Sequence, residues 1–213
     1  MSPRPDRQWM NCRHCGGAWE YDWEYCPECS RNFGGAKYPA TQSDQEFRDI
    51  SELVQQIHRA FADVRRGGGY TLHQAHLEGC YDTEAKWLAT GEKDPETHWS
   101  EVPGWKIETG FSTLSFFDVE GWRFYLPAFL CWSLENWRTS DSTTPDSVIW
   151  TLDLTHTIGW NETHADYMER YESLNREQCG TVLDFLSFFD RYSGLPEARS
   201  AIESYWRQFN KDG

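Results

Sequence analysis

Four cysteines near the start of the chain stand in two knuckles, Cys12-Arg13-His14-Cys15-Gly16 and Cys26-Pro27-Glu28-Cys29, with ten residues between them. Zinc takes four ligands in a tetrahedron, and two Cys-x-x-Cys turns supply them with little chain. The spacing leaves room for a strand out and a strand back, as in a zinc ribbon. One Zn2+ held by Cys12, Cys15, Cys26 and Cys29 is therefore expected, with a redox dithiol or an iron–sulfur centre as the competing readings. Four thiolates close the coordination shell, so the ion is expected to be structural rather than catalytic, and His14 is read as a surface residue.

Other residues have chemical character. His73, His76 and Cys80 share one helical face, with Glu78 and Asp82 close by. Such groups hold metals or exchange protons. Arg123, among Trp122, Phe124 and Tyr125, either pairs with Asp118 or Glu120 or binds an anion in a pocket. Trp19, Tyr21, Trp23 and Tyr25 alternate with Glu20, Asp22 and Glu24, putting aromatics on one strand face and carboxylates on the other. The aromatic face either receives a partner or packs on the rest of the chain. His156 and His164 are read as helix-end residues. Gly67-Gly68-Gly69 lacks the Lys-Ser/Thr ending of a phosphate loop, and no Gly-x-Ser-x-Gly elbow occurs.

The elements that must position these groups are mostly helices. Residues 1–8 are polar and expected to fray, 9–33 form the cysteine module, 34–42 read as a Gly/Pro linker, and 43–213 read as an all-α domain. The fold class is mainly α, a helical domain preceded by a small β-hairpin ribbon. Ser43-Asp44-Gln45-Glu46 reads as a capping box, followed by a stripe of Phe47, Ile50, Val54, Ile57, Phe61 and Val64 that the glycines at 67–69 end. Thr71 with Gln74 starts a second helix, Asp82 caps a short third, and Asp94-Pro95 and Pro103 open further turns. Asp118-Val119-Glu120-Gly121 reads as a tight turn and Pro127 as the start of a central helix through Asn136. Val148-Ile149-Trp150 fits helix or strand. Asn175 caps a helix over 176–192 with Val182, Leu186 and Phe189 on one face. Leu195-Pro196 begins the last, carrying Ala198, Ile202, Tyr205 and Phe209.

Composition bounds the function. The 213 residues carry a formal charge of −14, which repels phosphate backbones and anionic lipids and fits a basic protein partner. Residues 1–33 hold four Arg against five acids, so nucleic-acid binding through the ribbon is a secondary reading. Twelve Trp, 12 Phe and 10 Tyr supply a dense core although only 38% of residues are hydrophobic. Cys80, Cys131 and Cys179 read as reduced, mostly buried thiols. Without a leader or a long apolar run, a cytoplasmic protein with no membrane contact is expected.

The segment Leu114-Ser115-Phe116-Phe117-Asp118-Val119-Glu120-Gly121-Trp122-Arg123-Phe124-Tyr125-Leu126-Pro127-Ala128-Phe129 resembles the signature of a bacterial family of uncharacterised proteins, a domain of unknown function. Ala60-Phe61, Trp99-Ser100-Glu101-Val102-Pro103 and the closing helices are similar too, so the resemblance covers about 43–209. It implies membership and no activity, with the zinc module as an addition to the family's usual unit. His76 stands where relatives tend to carry acids. Together these readings point to an accessory or adaptor protein that binds another protein, with immunity or defence as one version. The alternative is an enzyme with a site near His73, His76, Glu78 and Arg123.

Overall fold

The computed structural model describes residues 10–11, 18–19, 43–79, 94–155 and 164–210, and the described chain is mainly helical. Two short strands, β1 (Met10–Asn11) and β2 (Ala18–Trp19), pair antiparallel with Met10 opposite Trp19. The four knuckle cysteines lie outside the described residues, as do Tyr21, Trp23, Tyr25, Cys80, Asp82 and His156.

The helices are α1 (Asp44–Ala60), α2 (Leu72–Gly79), α3 (Gly104–Thr109), α4 (Val119–Asn136), α5 (Thr144–Thr151), α6 (His164–Glu172), α7 (Arg176–Tyr192) and α8 (Pro196–Ser204). Short 3-10 turns lie at Trp99–Glu101, Thr113–Phe116 and Trp206–Phe209. Helix α4 is buried nearly all round and packs against α1, α3, α5 and α6, while α7 packs on α1 and α8.

Several expectations hold in local detail. Ser43 Oγ accepts the Glu46 amide and caps α1. Asn175 and Gln178 form a full capping box on α7, whose Val182, Leu186 and Phe189 are buried. Pro103 caps α3, and Val148-Ile149-Trp150 is helical, with Val148 and Ile149 buried and Trp150 exposed. His164 is the first residue of α6.

Other expectations are corrected. Helix α1 stops at Ala60, before the glycines, and Phe61 and Val64 are buried in the turn that follows it. Phe47 is not part of the buried stripe: it is 65% exposed, and Leu53 is buried instead. The reciprocal half of the α1 capping box is replaced, because the Glu46 carboxylate is gripped by Arg138 from 92 residues away. Near Asp94 the turn is the 3-10 segment Trp99–Glu101, capped by His98.

The largest correction concerns the signature segment. Asp118-Val119-Glu120-Gly121 is not a free turn but the cap and first turn of α4, with Asp118 accepting the Gly121 amide at 3.0 Å. Pro127 lies inside α4, where its ring denies the Arg123 carbonyl its usual amide donor and costs about 3 kcal/mol in an isolated helix. Burial of the α4 side chains on either side of it, Trp122, Phe124, Tyr125, Phe129 and Leu130 among them, outweighs that cost.

The loop before α2 docks on this first turn. Tyr70 N–H donates to Asp118 Oδ1 at 2.8 Å, and Gly68 N–H donates to Glu120 Oε2 at 3.1 Å. A Cβ on Gly69 would stand 2.4 Å from the Gly121 nitrogen, and one on Gly121 would stand 2.8 Å from the Tyr70 carbonyl oxygen. Here the glycines allow two backbones to touch. Gly67, with φ of 61°, adds the left-handed residue that turns the chain toward them.

Candidate functional site

The chemistry-bearing residues converge on the start of α2. A helix leaves its first amides without partners inside the helix. In α2 three successive groups satisfy them: the Tyr125 hydroxyl accepts from Leu72 N–H at 3.2 Å, Asp94 Oδ2 from His73 N–H at 2.9 Å, and Thr71 Oγ1 from Gln74 N–H at 3.2 Å. The expected Thr71–Gln74 pairing is reciprocal, since Gln74 Oε1 accepts the Thr71 amide. A carboxylate suits this position because the helix N-terminus carries partial positive charge.

Asp94 does more than cap. Its Oδ1 lies 2.9 Å from His73 Nδ1 and 2.8 Å from Lys106 Nζ, and Lys106 also donates to Glu96 Oε1 at 2.7 Å. His73, Asp94, Glu96 and Lys106 are all buried, so this is a charged network inside the domain rather than a surface cluster. Burial alone raises the Asp94 carboxyl, but the His73 hydrogen bonds and charge and the Lys106 ammonium outweigh it and hold Asp94 well below the usual carboxylate range. An ionised carboxylate only accepts, so His73 carries its proton on Nδ1. Burial lowers Lys106, yet its bonds to Asp94 and Glu96 raise it overall. The Tyr125 hydroxyl is pushed above its ordinary range, first by burial and then by the Asp94 charge.

The other sequence candidates fall elsewhere. His76 is half-buried and Glu78 exposed on α2. Arg123 projects from α4, half-buried, with its Nε enclosed and no hydrogen bond or ion pair to any described residue. The expected pairing with Asp118 or Glu120 is absent because both acids serve the loop at 67–70. Burial pushes the Cys131 thiol up to about 12 and the Cys179 thiol up to about 11, so both stay protonated. Among the described residues no group of three or more His, Cys, Asp or Glu could hold a metal ion.

Sequence reasoning missed Asp94, Glu96, Lys106 and Tyr125 as one unit. Asp94 lies 21 residues from His73, and no local periodicity joins them. The available signal was a helix start at Thr71 with amides to satisfy. It also missed two single-residue braces. Arg138 grips both oxygens of Glu46, at 2.6 and 2.9 Å, and its guanidinium lies over the Trp137 ring at 4.0 Å. Arg170, also buried, donates to the carbonyls of Ser115 and Phe117.

The model of the Family of unknown function (DUF6714) matches residues 49–210. The chain belongs to the DUF6714 family. The matched DUF6714 span contains the α2 network and the α4 signature turn, and it leaves out the knuckle cysteines. Comparison with curated proteins and with solved structures finds no match. Among the described residues, no helix is long and apolar enough to cross a membrane.

Proposed function

We propose that the chain is a cytoplasmic accessory or adaptor protein that binds another protein, with a structural zinc ribbon on Cys12, Cys15, Cys26 and Cys29 joined to the helical domain. The observation that supports this most is the commitment of the reactive set. His73 is 5% exposed and bound to Asp94, and Arg123 has no hydrogen bond or ion pair to His73, His76 or Glu78. Acid–base catalysis needs its groups within reach of one substrate atom. The enzyme alternative keeps one supporting contact, the Asp94–His73 pair, in which a carboxylate orients an imidazole. That carboxylate is at the same time the cap of α2, which fits a structural task.

The formal charge of −14 favours a basic partner and steers association with it. Neutralising a basic toxin, in an immunity or defence role, is one form this would take. The same charge places nucleic-acid binding through the ribbon second.

Affinity purification of the full chain from its native host, with elemental analysis and mass spectrometry, tests the reading. A single zinc ion per chain is expected, along with a basic protein whose complex can be rebuilt from purified components and weakens as salt rises. Knuckle cysteines found in disulfides without zinc, or a complex indifferent to ionic strength, would overturn it.

A further inference from the structure

Both nitrogens of one imidazole are committed where α1 ends. A helix leaves its last carbonyls without amide donors, and the chain around the Trp99–Glu101 turn supplies donors to the carbonyls that follow α1. Trp99 Nε1 donates to the Phe61 oxygen at 2.9 Å, and His98 Nε2 lies 3.1 Å from the Ala62 oxygen. Arg65, whose backbone pairs with that of His98, donates from Nη1 to the same Ala62 oxygen at 2.8 Å. On the other side of the half-buried ring, the Ser100 amide donates to His98 Nδ1 at 3.2 Å, which caps the turn, and Ser100 Oγ lies 2.7 Å from that nitrogen.

These partners fix the state of the ring. A carbonyl oxygen only accepts, so Nε2 carries a proton, and a backbone amide only donates, so Nδ1 presents its lone pair. The neutral imidazole with its proton on Nε2 does both, and the Ser100 hydroxyl then donates to Nδ1 as well. A proton added to Nδ1 takes the acceptor away from the Ser100 amide. The hydroxyl can rotate to receive that proton, whereas the amide cannot change its role. We propose that His98 is a proton-operated cap, closed on the Trp99–Glu101 turn while the ring is neutral and opened at the Ser100 amide when the ring takes up a proton, with the Nε2–Ala62 bond kept in both states.

Charges around the ring act in both directions. Sharing the Ala62 oxygen brings the Arg65 guanidinium within two hydrogen-bond lengths of Nε2, which opposes a second positive charge. Glu101 accepts the His98 N–H at 3.1 Å and favours one. His58 on α1 lies against the other imidazole's neighbour, its ring 4.7 Å from that of Trp99, with the His98 ring 5.3 Å from the same indole. Helix α4 also packs on the turn and carries Glu120, Arg123 and Glu135, none of which bonds to the ring, and neither do Asp63 and Arg66 beside Arg65. With opposite charges flanking the imidazole, the hydrogen bond that protonation removes decides the outcome.

Nuclear magnetic resonance of the full chain at about pH 8 and about pH 5, on either side of ordinary imidazole titration, tests this. Long-range nitrogen–proton spectra read the tautomer, and amide hydrogen exchange, corrected for its intrinsic pH dependence, reads the cap. The Nε2–H form is expected at the higher pH, and protection of the Ser100 amide should fall about tenfold at the lower, roughly the worth of one hydrogen bond. His98→Asn, whose side-chain oxygen caps at either pH, should keep Ser100 equally protected at both, and His58→Asn should leave the step in place. An Nδ1–H ring at the higher pH, protection that does not change as the His98 ring titrates, or an equal step in His98→Asn would overturn the proposal. So would a step that disappears in His58→Asn, since it would then belong to the other imidazole.

Discussion

Two buried charge networks hold this domain, and they differ in how completely they are closed. In the Glu46–Arg138 brace each carboxylate oxygen receives its own guanidinium nitrogen, and the guanidinium rests on Trp137. Around Asp94 the bonds are as short, yet Glu96 keeps an enclosed oxygen, and Arg66 an enclosed nitrogen, with no partner among the described residues. The first is finished as a fastening between the start of α1 and the end of α4. The second fastens α2 and leaves one acceptor and one donor without a partner among the described residues.

Breaking the closed brace should have the largest effect. Arg138→Met would strand the Glu46 carboxylate in the interior, and an unpaired buried charge of this kind costs about 3–5 kcal/mol. Urea unfolding checks this, and adding Glu46→Gln should recover much of the loss. A double variant no better than the single would mean that packing, not charge pairing, sets the cost.

Asp94→Asn should come next, at about 1.5–3 kcal/mol near neutral pH, because Lys106 keeps Glu96 while His73 loses a charged partner. The sign of its pH dependence follows from the lowered carboxyl. A depressed folded-state pKa contributes stability above the unfolded carboxylate value of about 3.9 and loses it as pH falls through the folded value. The gap between wild type and Asp94→Asn should thus be widest at neutral pH and shrink in acid. Unfolding curves across the acid range would show it, and a pH-independent gap would contradict a buried ionised Asp94.

The smallest effect sharpens the contrast. Arg66→Met keeps the aliphatic stem and removes a guanidinium whose enclosed Nη1 bonds none of the described residues, so the change in urea unfolding should stay within about 0.5 kcal/mol. A loss as large as that for Arg138 would show that the open network is a second brace.

What the sequence made legible was local. Ser43 and Asn175 with Gln178 announce helix starts through side chains a few residues from the amides they serve, Pro103 does so through its fixed backbone, and those starts are where they were expected. The start of α4 was missed because Gly121 looks like turn chemistry until the loop at 67–70 is seen against it, and Pro127 looks like a beginning although it lies inside a helix. Phe47 fits the apolar stripe by spacing, yet in the described structure no core reaches it. At the site, His73 could be picked out by type. Its partners could not, because Asp94 and Lys106 meet it only after α2, α3 and the intervening chain have packed.

The contact between Gly69 and Gly121 bears on how a family without known activity is read. Neither position has room for even a methyl group, and Asp118 and Glu120 are engaged by the amides of the loop that crosses them. What such a stretch requires is backbone fit, which glycine at both positions supplies. The most conspicuous motif of the chain thus serves to seat the loop at 67–70 on the first turn of α4.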